Sequence, residues 1–187
     1  MQIFKQLVEI SLRKREPQDI DYSLEAVAIL FMAIVYLRYD AFNAIESLSN
    51  PFLYSVVSMA GELAFLYLIF ASRDKTNRLV QTLTVLFGVS VLIVAVGRLM
   101  TLTVILQLAI PMLFIWSIYL SVFILRKALE CSAIVSLLLT FGYTFFGLFV
   151  VVMLFPEFEA QMLIELDNIK AAMEAAQLQA ELEAKAK

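Results

Sequence analysis

The sequence predicts an all-α polytopic transmembrane helical bundle of about five spans, with an N-terminal interfacial helix and a C-terminal helical tail. Three observations carry that expectation. The chain is 62% hydrophobic and 17% charged, with a mean hydropathy of +0.88, against roughly 45–50% and 25% in soluble domains. Its charges fall in short clusters, and Pro51 to Ala71, Leu79 to Leu125 and Cys131 to Phe155 each reach the ~20 helical residues that cross a hydrocarbon core of ~30 Å. A length of 187 residues suits one bundle with short loops rather than a bundle plus an ordinary soluble domain. The expected parts are an amphipathic segment over 1–22, a membrane bundle over 23–155 and an acidic helical tail over 156–187.

Residues 1–15 place Ile3, Phe4, Leu7, Val8 and Leu12 on one helical stripe, with Lys5, Gln6, Glu9 and Arg13 mostly off it, as in a helix lying on a membrane surface. No early basic region, apolar run and small-residue cleavage site coincide, so no cleavable signal peptide is expected. Arg13-Lys14-Arg15-Glu16-Pro17-Gln18-Asp19 ends this helix, because Pro17 disfavours helical geometry at Glu16. The first span, Ser23 to Tyr39, is short. Ser23 can cap it, Glu25 suits the positive end of its dipole, and Tyr36 and Tyr39 suit an interface. Arg38 to Asn50 reads as a polar connection, and Pro51 is acceptable in the first turn of the second span, Pro51 to Ala71.

Ser72 to Arg78 is the next loop. Leu79 to Leu125 then carries a single formal charge, Arg98, and would be about 70 Å long as one helix, so it is divided at Gly97-Arg98 into Leu79 to Val96 and Leu99 to Leu125. Pro111 falls inside the fourth span on this division, where it should loosen the bond to the Gln107 carbonyl and kink the helix. Arg126 to Glu130 is a short loop before the fifth span, Cys131 to Phe155. With the N-terminus inside, Lys5, Arg13, Lys14, Arg15, Arg73, Lys75, Arg78, Arg126 and Lys127 share the cytoplasmic side, and the short outer connections hold only Arg38 and Arg98. The positive-inside rule therefore gives a cytoplasmic N-terminus and a periplasmic C-terminus in a bacterial inner membrane. Beyond Pro156, Met162, Leu166, Ile169, Met173, Ala176 and Ala180 step by four and three, a heptad seam on a strongly helix-forming segment. Glu181 with Lys185, and Glu183 with Lys187, add i,i+4 pairs.

Histidine is absent, which removes the commonest general base and nitrogen metal ligand. Cys131 is the single cysteine, so no intrachain disulfide, thiol redox pair or thiolate-rich zinc site is expected. It reads as a small apolar residue entering a span, with palmitoylation or a reactive thiol as the alternative. Gly88-Val89-Ser90 resembles a serine nucleophile only superficially, because no base accompanies it. No phosphate loop or metal cluster is seen, and neither a catalytic residue nor a cofactor is expected. Trp116, Tyr119, Tyr143 and the phenylalanines near 145 read as helix packing rather than a ligand cage.

Glu62 is the sharpest candidate, an acid near the middle of the second span, where a charge costs roughly 2.5–3.5 kcal/mol on insertion scales. With alternating span directions, Ser90, Tyr143 and Thr144 fall near its level, and Arg98 falls near the outer surface. The functional reading is proton or cation coupling, or an anchor for a partner helix. The structural reading is a protonated acid hydrogen-bonded between helices, beside close packing at Ala60, Gly61 and Ala64.

Arg13-Lys-Arg-Glu-Pro-Gln-Asp19, Trp116-Ser-Ile-Tyr-Leu, Arg126-Lys-Ala-Leu and Leu154-Phe-Pro156 together resemble a family of small proteobacterial inner-membrane proteins. The five-span layout is similar to a Yip1-type membrane domain, although the Asp-Leu-Tyr-Gly-Pro motif of the eukaryotic members is missing. The resemblance implies no catalytic residues. The expected function is that of a noncatalytic membrane organiser or assembly and trafficking factor. Its partners would be the lipid bilayer and, through the C-terminal helix, a protein partner or a second copy, with no nucleic acid. The competing expectation is a small transporter or channel subunit with Glu62 as its coupling acid.

Overall fold

The computed structural model describes residues 2–12, 14, 16–45, 48–101 and 108–185, with side chains described throughout these except at 2–4, 172 and 176–185. The described secondary structure is entirely helical: α1 (Gln2–Ser11), α2 (Leu24–Asn43), α3 (Pro51–Ser72), α4 (Leu79–Met100), α5 (Ile110–Leu129), α6 (Ala133–Leu154) and α7 (Pro156–Lys185), with short 3-10 turns at Pro17–Asp19 and Thr76–Arg78. The capping chemistry sets several boundaries. The Ser23 hydroxyl accepts the Ala26 N–H at 3.1 Å and Ser132 accepts that of Val135 at 3.3 Å, satisfying donors that lack a helical partner. Glu16 and Asp19 form a reciprocal capping box around the Pro17 turn.

Arg126 to Leu129 form the last turn of α5 rather than a loop, because their two cations suit the negative end of the helix dipole, and three further expectations are corrected. First, α2 continues past Tyr39 to Asn43, so Arg38 and Asp40 are helical rather than part of a connection. Second, α4 runs through Gly97-Arg98 to Met100, and the next apolar helix, α5, starts at Ile110 instead of Leu99. Arg98 tolerates this because a cation in the last helical turn faces the negative end of the dipole and here meets Asp40. Third, Pro111 stands in the first turn of α5, where it has no helical bond to break, so no mid-span kink arises. Gln107, its expected partner, lies outside the described residues, as do Arg13, Arg15 and the side chains of Ile3, Phe4, Ala176, Ala180, Glu181, Glu183, Lys185 and Lys187.

Among the described residues four helices, α3 to α6, are long and apolar enough to cross a membrane; α2, which carries Glu25, Arg38 and Asp40, is not among them. The helices do not pack in chain order. α2 contacts α3 and α4, α3 contacts α6, α6 contacts α5, and α5 returns to α4, so the five close a ring in the order α2, α3, α6, α5, α4. Glu16 meets Lys127 at 2.5 Å, Glu130 meets Lys75 at 2.5 Å and Arg78 at 2.6 Å, and Gln81 donates to the Ile20 carbonyl, all at one end of the ring. At the other end Asp40 pairs with Arg98, and the root of α7 is pinned by Phe158 and Phe155 against the buried Tyr54 ring.

The apolar stripe of α1 is divided rather than left to lipid. Leu7 and Ile10 are buried in the bundle, whereas Val8 and Leu12 stay outside. A Cβ at Gly88 would overlap the Leu7 side chain, which places α1 against α4 about 13 Å along that helix from its start. The expected surface-lying helix is therefore docked on the bundle by one edge. Around the ring, Ile29, Met32, Leu68, Met112, Phe114, Ile115, Ile134, Leu138, Phe145 and Phe149 are exposed on consecutive helices. So much contiguous apolar surface on a monomer calls for a covering phase, and a bilayer supplies it.

Candidate functional site

The interior of the ring holds a partly open cavity of about 480 Å³ to which all five helices contribute. α2 supplies Ile34, Leu37, Arg38 and Ala41; α3 supplies Met59, Glu62 and Leu66; α4 runs along it from Leu86 and Phe87 through Ser90 to Arg98; α5 and α6 add Ser117 and Tyr143. A second cavity of about 250 Å³ is lined by Ser58, Phe42, Thr144, Phe145 and Leu148 and shares Arg38, Ala41 and Glu62 with the first. The structure thus brings Glu62, Ser90 and Tyr143 to one cavity and places Thr144 with Glu62 on the other.

At the junction of the two spaces Arg38 donates to the Glu62 carboxylate at 2.7 Å and to the Ser58 hydroxyl at 3.0 Å. Glu62 is 4% exposed. An acid this deep needs a paired cation and hydrogen bonds to remain charged, and Arg38 provides both from a planar fork of donors. The room for the carboxylate comes from a close helix crossing. Gly61 faces Gly147, and a Cβ on Gly147 would fall 2.6 Å from the Ser58 carbonyl oxygen and 2.7 Å from the Glu62 Cγ. Small residues at such a crossing let backbones approach. Of the expected trio, Gly61 alone is buried at this contact; Ala60 and Ala64 are exposed.

The remaining candidates sort clearly. The Ser90 hydroxyl donates to the Leu86 carbonyl at 2.8 Å and Thr144 to the Thr140 carbonyl at 3.1 Å, the back-bonding usual in membrane helices. Trp116 and Tyr119 lie ring to ring at 5.5 Å on the outer face of α5, so their packing is lipid-directed rather than internal. Cys131 is half-buried with its Sγ 3.2 Å from the Ser136 hydroxyl. In the tail, Met162 packs on the Tyr54 cluster, whereas Leu166, Ile169 and Met173 are exposed.

Arg38 is the functional residue that sequence reasoning misplaced. It stands nine residues before position 47 in the α2–α3 connection, and Glu62 stands fifteen after it. In an antiparallel hairpin that is a depth difference of about 9 Å, within reach of two long side chains leaning toward each other. Counting inward from the connection would have found the pair. Outside the apolar helices, the Glu16 carboxyl is held below the ordinary glutamate value by its bond to Lys127, then Gln18. Glu130 is held down likewise by Lys75, then Arg78. These two clusters tie the α3–α4 and α5–α6 connections and the segment before α2 at one end.

Comparison with protein-family models, curated proteins and solved structures finds no match for this chain, so the functional reading rests on its geometry.

Proposed function

We propose that the chain is a noncatalytic integral membrane protein whose ring of helices holds a small solute, and that the Arg38–Glu62 pair gates passage between the central and lateral cavities. The carrying observation is the position of that pair, shared by both cavities and buried at the α3–α6 crossing. In this reading α2 is a fifth span despite its three charges, because Arg38 finds Glu62 inside the bundle and Asp40 pairs with Arg98 at its end. The N-terminus is cytoplasmic and the C-terminus lies across the inner membrane, consistent with the basic clusters at the Glu16 end.

The test is thiol accessibility in reconstituted vesicles, using Ser90→Cys in a Cys131→Ser background and a small polar methanethiosulfonate reagent. The proposal expects slow modification with Arg38–Glu62 intact and faster modification when Glu62→Gln loosens the gate. Absence of reaction from either side in both proteins would overturn it.

The organiser reading keeps support from α7, which extends about 45 Å and presents Leu163, Ile164, Leu166, Ile169 and Met173 uncovered. Truncation after Met162 retains the Phe158 anchor and removes the whole of that row. Loss of a native complex on truncation supports tail-mediated assembly, and unchanged complexes remove it.

A further inference from the structure

We infer that the central cavity is a binding site for a single-chain amphiphile with an anionic head, lying with its head at the Arg98 end and its chain at the Leu66–Phe87 end. This rests on the solute-binding reading above and names the substrate class.

Polarity changes along the cavity in register with the helices. On α2 the lining passes from Ile34 and Leu37 to Arg38 and Ala41, and on α4 from Leu86 and Phe87 through Ser90, Ile93 and Val94 to Arg98, so the two guanidiniums stand toward one end and the bulkiest apolar side chains toward the other. Leu86 and Arg98 are separated by about 18 Å along α4, so the site is long as well as graded. A molecule matching it has one polar end and one apolar end.

The unspent donors of the lining set the character of the polar end. Arg38 and Arg98 both line the cavity, each already paired with a carboxylate, Glu62 and Asp40, so the cluster is neutral as a whole and its recognition chemistry lies in the guanidinium N–H groups that remain. Glu62 is already engaged by Arg38. Each guanidinium has five N–H donors, and the described bonds of Arg38 use two of them. Charge-assisted bonds from such donors select carboxylate, phosphate or sulfate oxygens.

The volume limits the chain. About 480 Å³ lies in the lower part of the ~300–1,000 Å³ range of small-molecule pockets, enough for one medium-length chain and too little for a two-chain phospholipid. The lateral cavity supplies the route. Its rim residues Phe145 and Leu148 are 64% and 40% exposed on the face of α6 turned toward lipid. An amphiphile dissolved in the bilayer can therefore reach the Arg38–Glu62 junction without passing through water.

The experiment uses the full chain in lipid nanodiscs and a decanoate carrying a diazirine at its terminal carbon, with adducts mapped by mass spectrometry. Adducts are expected at Leu66, Leu86 and Phe87. Decanoate and decyl phosphate should compete, decanol weakly, and decyltrimethylammonium not at all, which separates carboxylate and phosphate heads from chain binding alone. Arg98→Gln should weaken competition by decanoate about tenfold or more, the loss of one charged hydrogen bond. Ser117→Phe, which fills the cavity without touching a charge, should remove the interior adducts while leaving helicity by circular dichroism unchanged. Adducts confined to Leu138 and Phe149 on the outer face, or better competition by decyltrimethylammonium, would overturn the inference. If Ser90→Cys reacts with the polar thiol reagent but no interior adduct forms, the ligand class is wrong and the cavity reading stands. If neither occurs, both fall.

Discussion

Replacing Gly147 with alanine inserts a methyl group at the tightest point of the α3–α6 crossing. The new Cβ would lie 2.6 Å from the Ser58 carbonyl oxygen and 3.0 Å from Glu62 Oε1. The first of these atoms is helix backbone and cannot turn aside, so α6 must retreat from α3 and loosen the pocket holding the Glu62 carboxylate. Overpacking of this kind costs about 1–3 kcal/mol. The higher helix propensity of alanine returns at most about 1 kcal/mol. A clash with backbone belongs to the upper half of that range, so the net expectation is a destabilisation of about 1–2 kcal/mol, together with faster modification of Ser90→Cys, because the proposed gate rests on the same crossing. Two other glycines calibrate the measurement. A Cβ at Gly97 meets only Leu113 Cδ2 at 3.5 Å, so Gly97→Ala should be neutral or stabilising. At Gly142 it meets the tip of the Phe65 ring at 3.0 Å, which can give way, so Gly142→Ala should fall between. Thermal unfolding of the three variants in one detergent, followed by circular dichroism, reads the order. Gly147→Ala as stable as wild type, or Gly97→Ala equally damaged, would refute the crossing argument.

Other substitutions probe independent parts of the fold. Arg38→Gln leaves a buried carboxylate without its cation and should cost about 3–5 kcal/mol, whereas Arg38→Gln with Glu62→Gln should recover most of that loss; a thermal-unfolding double-mutant cycle without such recovery would deny the pairing. Pro111→Ala should change stability by no more than about 0.5 kcal/mol, because the proline occupies the first turn of α5; a large change would restore the mid-span kink. Glu16 and Glu130 have depressed carboxyl values, so their stabilising contacts are fully present above the unfolded value of about 4.5 and disappear as pH falls through the lower folded value. Unfolding temperature should show no change from this source between pH 8 and 6. The gap between wild type and Glu130→Gln should close only in acid, and a gap closing near neutrality would contradict the assignment.

Much of the fold is written in residue periodicity because lipid demands it. The starts of α2 and α3 follow from Ser23 and Pro51, residues whose capping or proline geometry acts locally, whereas α6, expected from Cys131, begins two residues later behind its Ser132 cap. The break in Leu79 to Leu125 was misplaced for a physical reason. A lone arginine and a glycine suggest a turn, but an arginine at a helix C-terminus with an acid on the neighbouring helix is equally stable inside a helix, and Asp40 could be recognised as that acid only in three dimensions. The depth argument that set Ser90, Tyr143 and Thr144 level with Glu62 needs only alternating directions and a constant rise. It places residues by height, but not around the ring, so it could not tell that Thr144 faces a different cavity from Tyr143. The nonsequential order of helices is invisible for the same reason. The faces of α6 toward α3, α5 and lipid are mostly apolar, its Ser136, Thr140 and Thr144 hydroxyls being spent on their own helix, and Gly142 and Gly147 lie where α3 packs.

The most direct test of the account is the side of the membrane on which each end of the bundle lies. Gln18→Cys and Gln161→Cys, each in a Cys131→Ser background, can be labelled with an impermeant maleimide in right-side-out and inverted inner-membrane vesicles. Five spans predict labelling of Gln161→Cys from outside and of Gln18→Cys only in inverted vesicles. Labelling of both from the same side would contradict an odd number of spans, put α2 outside the bilayer, and with it remove Arg38 from the membrane interior where the proposed gate must work.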